Sequence, residues 1–230
     1  MSRLATFVVS LGLLAALVSV PGPRTLDYRV ASRETPLYRV SVVGDSYTTG
    51  GDEGGLGAKG WTNRAWQLLA RQGVQVAADV AAEGGAGYGV PGNQGSVFEG
   101  LATRVVRPDD ALVVFYGSRN DQDVDQMVMA GVAHAAFGVA RRTAPNARLL
   151  VIGPPWPTAD VPGSLLRIRD ALAIVAQVEG AAFVDPIAER WFVGRPELIG
   201  GDGVHPTDAG HAYMADKIAP LIAAQLPKRA

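Results

Sequence analysis

The chain has 230 residues, of which 48% are hydrophobic and 19% charged, and a formal net charge of −1. That balance suits one globular α/β domain with a sizeable core, and without a basic run it offers no electrostatic footprint for nucleic acid. There is no cysteine, which excludes disulfides, thiol catalysis and cysteine-ligated zinc, and any imidazole base must be His134, His205 or His211.

Arg3 precedes an apolar run, Leu4 to Val20, that stops at Pro21-Gly22-Pro23. The run is short for a spanning helix and is interrupted by Thr6, Ser10, Gly12 and Ser19, so residues 1–20 read as a signal peptide or membrane anchor. The expectation is an exported protein, secreted or anchored at the cell envelope, with any membrane association made through residues 1–20. Prolines among alternating charges mark 21–37 as a linker or arm, leaving 38–230 as the folded domain.

The first strand, Tyr38 to Val43, ends in Gly44-Asp45-Ser46 and then a glycine-rich stretch from Gly50 to Gly60, read as a mobile loop. A serine carried through a tight turn at a strand end can project its hydroxyl from the sheet edge. The plainer reading is a strand-ending turn capped by Asp45. Trp61, Ala65, Leu68 and Leu69 recur at helical spacing and predict a helix over 61–72. Val74 to Val80 is the second strand, followed by a glycine-rich segment from Glu83 to Gly95 and a short helix over 97–105.

Ala111 to Tyr116 is an unbroken apolar run, as a strand buried on both faces should be. It stops at Gly117-Ser118-Arg119-Asn120-Asp121. Val124, Met127, Val128, Ala135 and Val139 form one face of a helix ending near Arg142; the methionines are packing, and His134 is structural or at the surface. Arg148 to Ile152 is the fourth strand, Leu165 to Val175 a helix, and Ala181 to Val184 the fifth strand. Asp202-Gly203-Val204-His205 then precedes Thr207, a plausible N-cap for a last helix that turns Met214, Ile218, Leu221 and Ile222 inward.

Strands alternating with helices predict a parallel sheet covered on both faces, with ligands bound at its carboxyl edge. Ser46, the glycines at 84–89 and Asn120 should therefore converge. Asp202 can hold one nitrogen of His205 and leave the other free to take a serine proton; the alternative is a turn that merely caps the next helix. His211 is the rival base and Asp185 the rival orienter. A glycine N–H and the Asn120 amide could both donate to an oxyanion, while the alternatives are a flexible loop and a helix N-cap. Gly87-x-Gly89-x-x-Gly92 matches a dinucleotide fingerprint only literally, because Pro91 lacks an N–H and the motif follows the second strand. Two histidines at best cannot build a two-metal site, so no metal is expected.

Taken together, Gly44-Asp45-Ser46, the glycines at 84–87, Gly117-x-x-Asn120-Asp121 and Asp202-x-x-His205 resemble the SGNH (GDSL-like) hydrolases in order and approximate spacing, from Tyr38 to the last helix. The resemblance implies an α/β three-layer flavodoxin-like sandwich around a five-stranded parallel sheet of order 2-1-3-4-5. It also implies an esterase or lipase that cleaves carboxylic esters through an acyl-enzyme, without a cofactor. In that pattern Ser46 is the nucleophile and first oxyanion donor, Gly87 and Asn120 are the other donors, His205 is the base and Asp202 its orienter. Ala82 departs from the usual Asn, and Tyr47 from a common Leu. The Gly117 block is one residue longer than usual, which makes Arg119 a candidate contact for an anionic or sugar substrate. Tyr47, Tyr88, Arg119 and Trp156 are the expected pocket residues, and the expected substrate is a small-molecule, lipid or sugar ester. Trp61 and Trp191 are further aromatic candidates, each more simply read as packing. Two alternatives remain at this point: an acyltransferase or deacylase acting on cell-envelope glycolipid or polysaccharide, and a non-catalytic envelope binding module.

Overall fold

A computed structural model of the chain describes residues 37–228; the apolar segment at 1–20 and the arm at 21–36 lie outside the described residues. The strands β1 (Leu37–Gly44), β2 (Gln75–Ala82), β3 (Leu112–Tyr116), β4 (Arg148–Ile152) and β5 (Ala182–Val184) form one parallel sheet in the order β2-β1-β3-β4-β5. Between and after them run α1 (Ser46–Thr49), α2 (Trp61–Arg71), α3 (Phe98–Val105), α4 (Gln126–Thr143), α5 (Gly163–Val178) and α6 (Asp208–Gln225). This is the flavodoxin-like order expected from the sequence. The short helix α1, which begins at Ser46 itself, is an addition, as are the 3-10 turns Gly57–Lys59 and Pro196–Leu198.

Every residue of β3 is buried, because both faces of the sheet are covered. Side chains alternate across a strand, so Val113 and Phe115 enter the layer made with α3, α4 and α5, while Leu112, Val114 and Tyr116 enter the layer made with α2 and α6. Two apolar faces are the reason this strand reads as an unbroken hydrophobic run. Phe115 meets Phe137 of α4 edge-on at 4.9 Å, and Tyr116 meets Trp61 of α2 at 5.8 Å. These aromatic contacts fix the helices on the sheet by burying large apolar side chains, each worth about 1.5–3 kcal/mol.

The glycine-rich loop after α1, expected to be mobile, is docked onto α6 and the segment before it. Asp208 Oδ1 accepts the Gly55 amide at 3.0 Å, its Oδ2 pairs with Lys59 Nζ at 2.6 Å, and Glu53 Oε2 accepts the Gly201 amide at 3.0 Å. Gly55 has φ +80°, and a Cβ there would lie 2.0 Å from His211 Nε2, so the loop can close over the imidazole only through glycine. His211 is fully buried and its Nδ1 accepts the Trp61 amide at 3.3 Å. The rival base is thus a core clamp between α2 and α6.

Burial pushes the His211 pKa down to about 4, from 6.5 in the unfolded chain. The unfolded state therefore binds more protons as pH falls below 6.5, and the stability this neutral histidine contributes is lost between there and about 4, up to about 3 kcal/mol. Urea midpoints measured across that window should fall with acidity, and His211→Gln should flatten the fall. An equal fall in the variant would place the acid sensitivity elsewhere.

Candidate active site

The register of the sheet builds the site. Gly44 pairs with Ala82 on one side and Tyr116 on the other, so the breaks after β1, β2 and β3 start level at one edge. Asp45 caps α1 by accepting the Tyr47 amide on Oδ1 at 2.9 Å, which presents Ser46 at the first helical position. Asp45 is buried, and burial pushes its carboxyl up to about 7 against the Tyr47 hydrogen bond and the Arg119 charge.

His205 Nε2 lies 3.1 Å from Ser46 Oγ, and His205 Nδ1 lies 2.5 Å from Asp202 Oδ2. The other Asp202 oxygen accepts the amides of Val204 at 2.8 Å and His205 at 2.9 Å, closing the turn on itself. Burial would raise the Asp202 carboxyl, but the hydrogen bonds from His205 and the two amides outweigh it and hold the pKa at about 2. An anionic Asp202 favours the tautomer with the proton on Nδ1, leaving Nε2 as the acceptor facing the serine. The rival orienter, Asp185, is engaged elsewhere: it pairs with Arg169 at 2.8 Å and accepts the Ile187 and Ala188 amides. His134 lies on the exposed side of α4, paired with Glu179 at 2.7 Å.

The pocket expected from the sequence needs correcting. Tyr47 is fully buried, packed edge-on against Tyr116 and Phe192, and its hydroxyl donates to the Val204 carbonyl at 2.5 Å. It braces the turn that carries His205 rather than lining a cavity. Tyr88 is buried among Phe98, Phe115 and Phe137 as part of the core. Trp61 and Trp191 are buried too. A glycine-rich flank hides which way the next aromatic points, and both tyrosines turn into the hydrophobic layers.

The glycine loop also differs from expectation. The Gly87 amide donates to the Val90 carbonyl at 2.8 Å, so it is committed within its own turn. Gly85 instead borders a cavity of about 480 Å³ together with Ser46, Asn120 and His205. The Asn120 side chain donates to the Ala86 carbonyl at 2.7 Å, which leaves its second amide hydrogen for another acceptor. Asp121, fully buried, accepts the amides of Tyr88 at 2.8 Å, Gly89 at 2.9 Å and Val90 at 3.0 Å. Sequence reasoning assigned Asp121 no role. The hint was a carboxylate beside Asn120 facing a glycine-rich loop whose backbone donors need an acceptor.

A second cavity, of about 510 Å³, opens on the other side of Ser46 and His205 and is bordered by Thr49, Asp52, Glu53, Asn93 and Gln94. Arg119 borders the first cavity, with its guanidinium 4.7 Å above the Trp156 ring. Trp156 is fixed by Nε1 bonds to Thr158 Oγ1 at 3.0 Å and the Asp160 carbonyl at 2.8 Å, so it supports Arg119 from below. No group of three His, Asp or Glu side chains among the described residues could hold a metal ion.

The model of the GDSL-like lipase/acylhydrolase family matches residues 42–213. The chain belongs to that family. It is 61% identical over 236 residues to a GDSL lipase of Mycobacterium tuberculosis, covering 98% of this chain and 99% of the relative. Among solved structures it is similar to TesA, with a TM-score of 0.64 at 22% identity over 82% of this chain and 99% of that one. It is also similar to an aryl esterase of M. smegmatis, with a TM-score of 0.58 at 17% identity over 82% and 100%. Family membership makes the chain an esterase- or lipase-like hydrolase of carboxylic esters.

For this family member, the brace under His205 has a measurable consequence. Tyr47→Phe strands the Val204 carbonyl and should lower stability by about 1–3 kcal/mol in urea unfolding. Aryl-ester turnover should fall severalfold in kcat with little change in KM, since the loss is one of histidine placement. An unaltered kcat would remove the hydroxyl from the support of the site.

Proposed function

We propose that the protein is a serine ester hydrolase working through an acyl-enzyme, with Ser46 as nucleophile, His205 as general base and Asp202 as its orienter. The observation that carries this reading is the continuous chain from Ser46 Oγ through both nitrogens of His205 to Asp202, at 3.1 and 2.5 Å. The Ser46 hydroxyl proton passes to His205 Nε2 as Oγ attacks the ester carbonyl. The tetrahedral oxyanion collapses, the C–O bond to the alcohol breaks, and His205 returns the proton to the leaving oxygen. Water then gives a proton to His205, attacks the acyl carbon, and releases the acid as Ser46 recovers its proton.

The oxyanion donors in this reading are the Ser46 amide, the Gly85 amide and the Asn120 side chain. Gly85 replaces Gly87, whose amide is already bonded. Donors aimed where charge develops are worth about 3–4 kcal/mol each. Thr49, Asp52, Glu53, Asn93 and Gln94 surround the second cavity with hydroxyl, amide and carboxylate groups, which suits a hydroxyl-bearing alcohol portion such as a sugar. Export through residues 1–20 would place the enzyme where envelope sugars and lipids are its substrates.

Ser46→Ala should abolish hydrolysis of 4-nitrophenyl acetate and labelling by a fluorophosphonate; labelling that persists in the variant overturns the assignment. His205→Ala should lower kcat/KM by about 10²–10⁴-fold. Asn120→Ala should lower kcat by about 10²–10³-fold if its amide holds the oxyanion. Because Asp202 is held at about 2, it stays anionic across the working range. The acid limb of kcat/KM above pH ~3 should therefore fit a single proton, taken up by the base. A two-proton limb would mean that a second group, such as Asp45, controls the site.

A further inference from the structure

We propose that Arg119 is the residue that selects the substrate, by binding a carboxylate carried on the ester close to its scissile bond. This rests on the serine reading of the same site and adds to it a class of substrate: half-esters of dicarboxylic acids, or esters of hydroxy acids.

Arg119 enters the site through the extra residue in Gly117-Ser118-Arg119-Asn120, directly before the Asn120 amide. It borders the same cavity as Ser46 and His205, so a group bound to it lies within one cavity's length of the nucleophile. Its side chain is held in place rather than free, because the guanidinium lies 4.7 Å over Trp156 and that ring is pinned by two hydrogen bonds. Guanidinium stacked on an aromatic face keeps its planar fork of donors edge-on for a partner. Arg119 has no ion-pair partner among the described residues; its buried Nη1 is out of a ligand's reach and the guanidinium lies near the Tyr47 hydroxyl, which leaves its other donors to meet an anion. A half-buried cation without an anionic partner is open to one supplied by a ligand.

The charges around it specify what kind of anion. Asp45 lies beneath Ser46 with Oδ1 on the Tyr47 amide, Asp121 is filled by three amides, and Asp202 is bonded to His205. Asp123 stands exposed at the cavity rim. None of these carboxylates neutralises Arg119 by contact, but Asp121, Asp123 and Asp202 around the cavity oppose a doubly charged group. One guanidinium in that field fits a single negative charge taken in bidentate fashion, as a carboxylate accepts it, better than a phosphate dianion.

The test compares kcat/KM for charged and neutral partners of one shape. One pair, 4-nitrophenyl hydrogen glutarate against 4-nitrophenyl methyl glutarate, places the carboxylate on the acyl side. The other, 4-acetoxybenzoate against its methyl ester, places it on the alcohol side. In at least one pair the wild-type protein should favour the charged ester, and the preference should weaken as NaCl rises. Arg119→Gln should lower that charged-to-neutral ratio at least tenfold, with Arg119→Lys retaining part of it. Equal losses on charged and neutral esters in both pairs would overturn the proposal and make Arg119 a support for the oxyanion. No change in either ratio would overturn it as well. Should Arg119→Gln fail to fold, a wild-type preference that is absent or indifferent to salt is the overturning result. Turnover of these esters by Ser46→Ala would sink the serine reading separately, since the Arg119 ratios can be measured whichever nucleophile acts.

Discussion

Everything at the site depends on Gly44 being paired level with Ala82 on one side and Tyr116 on the other. Parallel strands in that register end together, so three chain breaks far apart in sequence open at one edge. The first delivers Ser46, the second the Gly85 loop, the third Arg119 and Asn120. A shift of one residue in either pairing would exchange the two faces of β1 or β3 and send each side chain into the layer packed for its neighbour, so the hydrophobic layers that stabilise the fold also hold the chemistry in alignment. His205 arrives from a different direction, on the turn before α6. That helix is tied to the sheet through Met214, Ile218 and Ile222, and to the Gly55 loop through Asp208 and His211.

Three aspartates near Ser46 show how environment sets the work of one side chain. Asp45 is buried with a single backbone donor, and burial dominates, so its carboxyl is raised to about 7. Asp202 receives two amides and an imidazole, and those bonds dominate, so it is held at about 2. Asp121 uses both oxygens to gather three successive amides of the glycine loop. The first shapes the turn beneath Ser46, the second polarises His205, and the third fixes the loop that brings Gly85 to the cavity. In the proposed triad only a carboxylate that faces the imidazole can orient it, and of the three only Asp202 is bonded to His205.

Much of this was legible in the residues. The apolar runs at β1, β3 and β4, the helical spacing of Trp61, Ala65 and Leu69, and the glycine breaks between them are local patterns, and local patterns specify strands, helices and their alternation. The spacing of Asp202 and His205 also lies within a single turn, so their mutual bond is a short-range property that a sequence can carry. What resisted reading was the direction of individual side chains beside glycines. Tyr47 and Tyr88 follow chain breaks where no alternation survives, and each turned into the core instead of the cavity. The Gly87 amide is claimed by the Val90 carbonyl whereas Gly85 stands at the cavity, and Val90 is held in place by the loop's closure on Asp121.

By itself, then, the sequence determined the order of strands and helices, the family pattern, and the serine, histidine and aspartate that carry it, because each is encoded within a few neighbouring residues. Tertiary structure alone decided that His211 is a clamp, that the Gly50 to Gly60 loop is docked, that Gly85 borders the cavity, and that Arg119 rests on Trp156 with no ion-pair partner among the described residues. These outcomes depend on contacts between segments tens of residues apart. There, packing and competition for hydrogen-bond partners override any preference of the local chain.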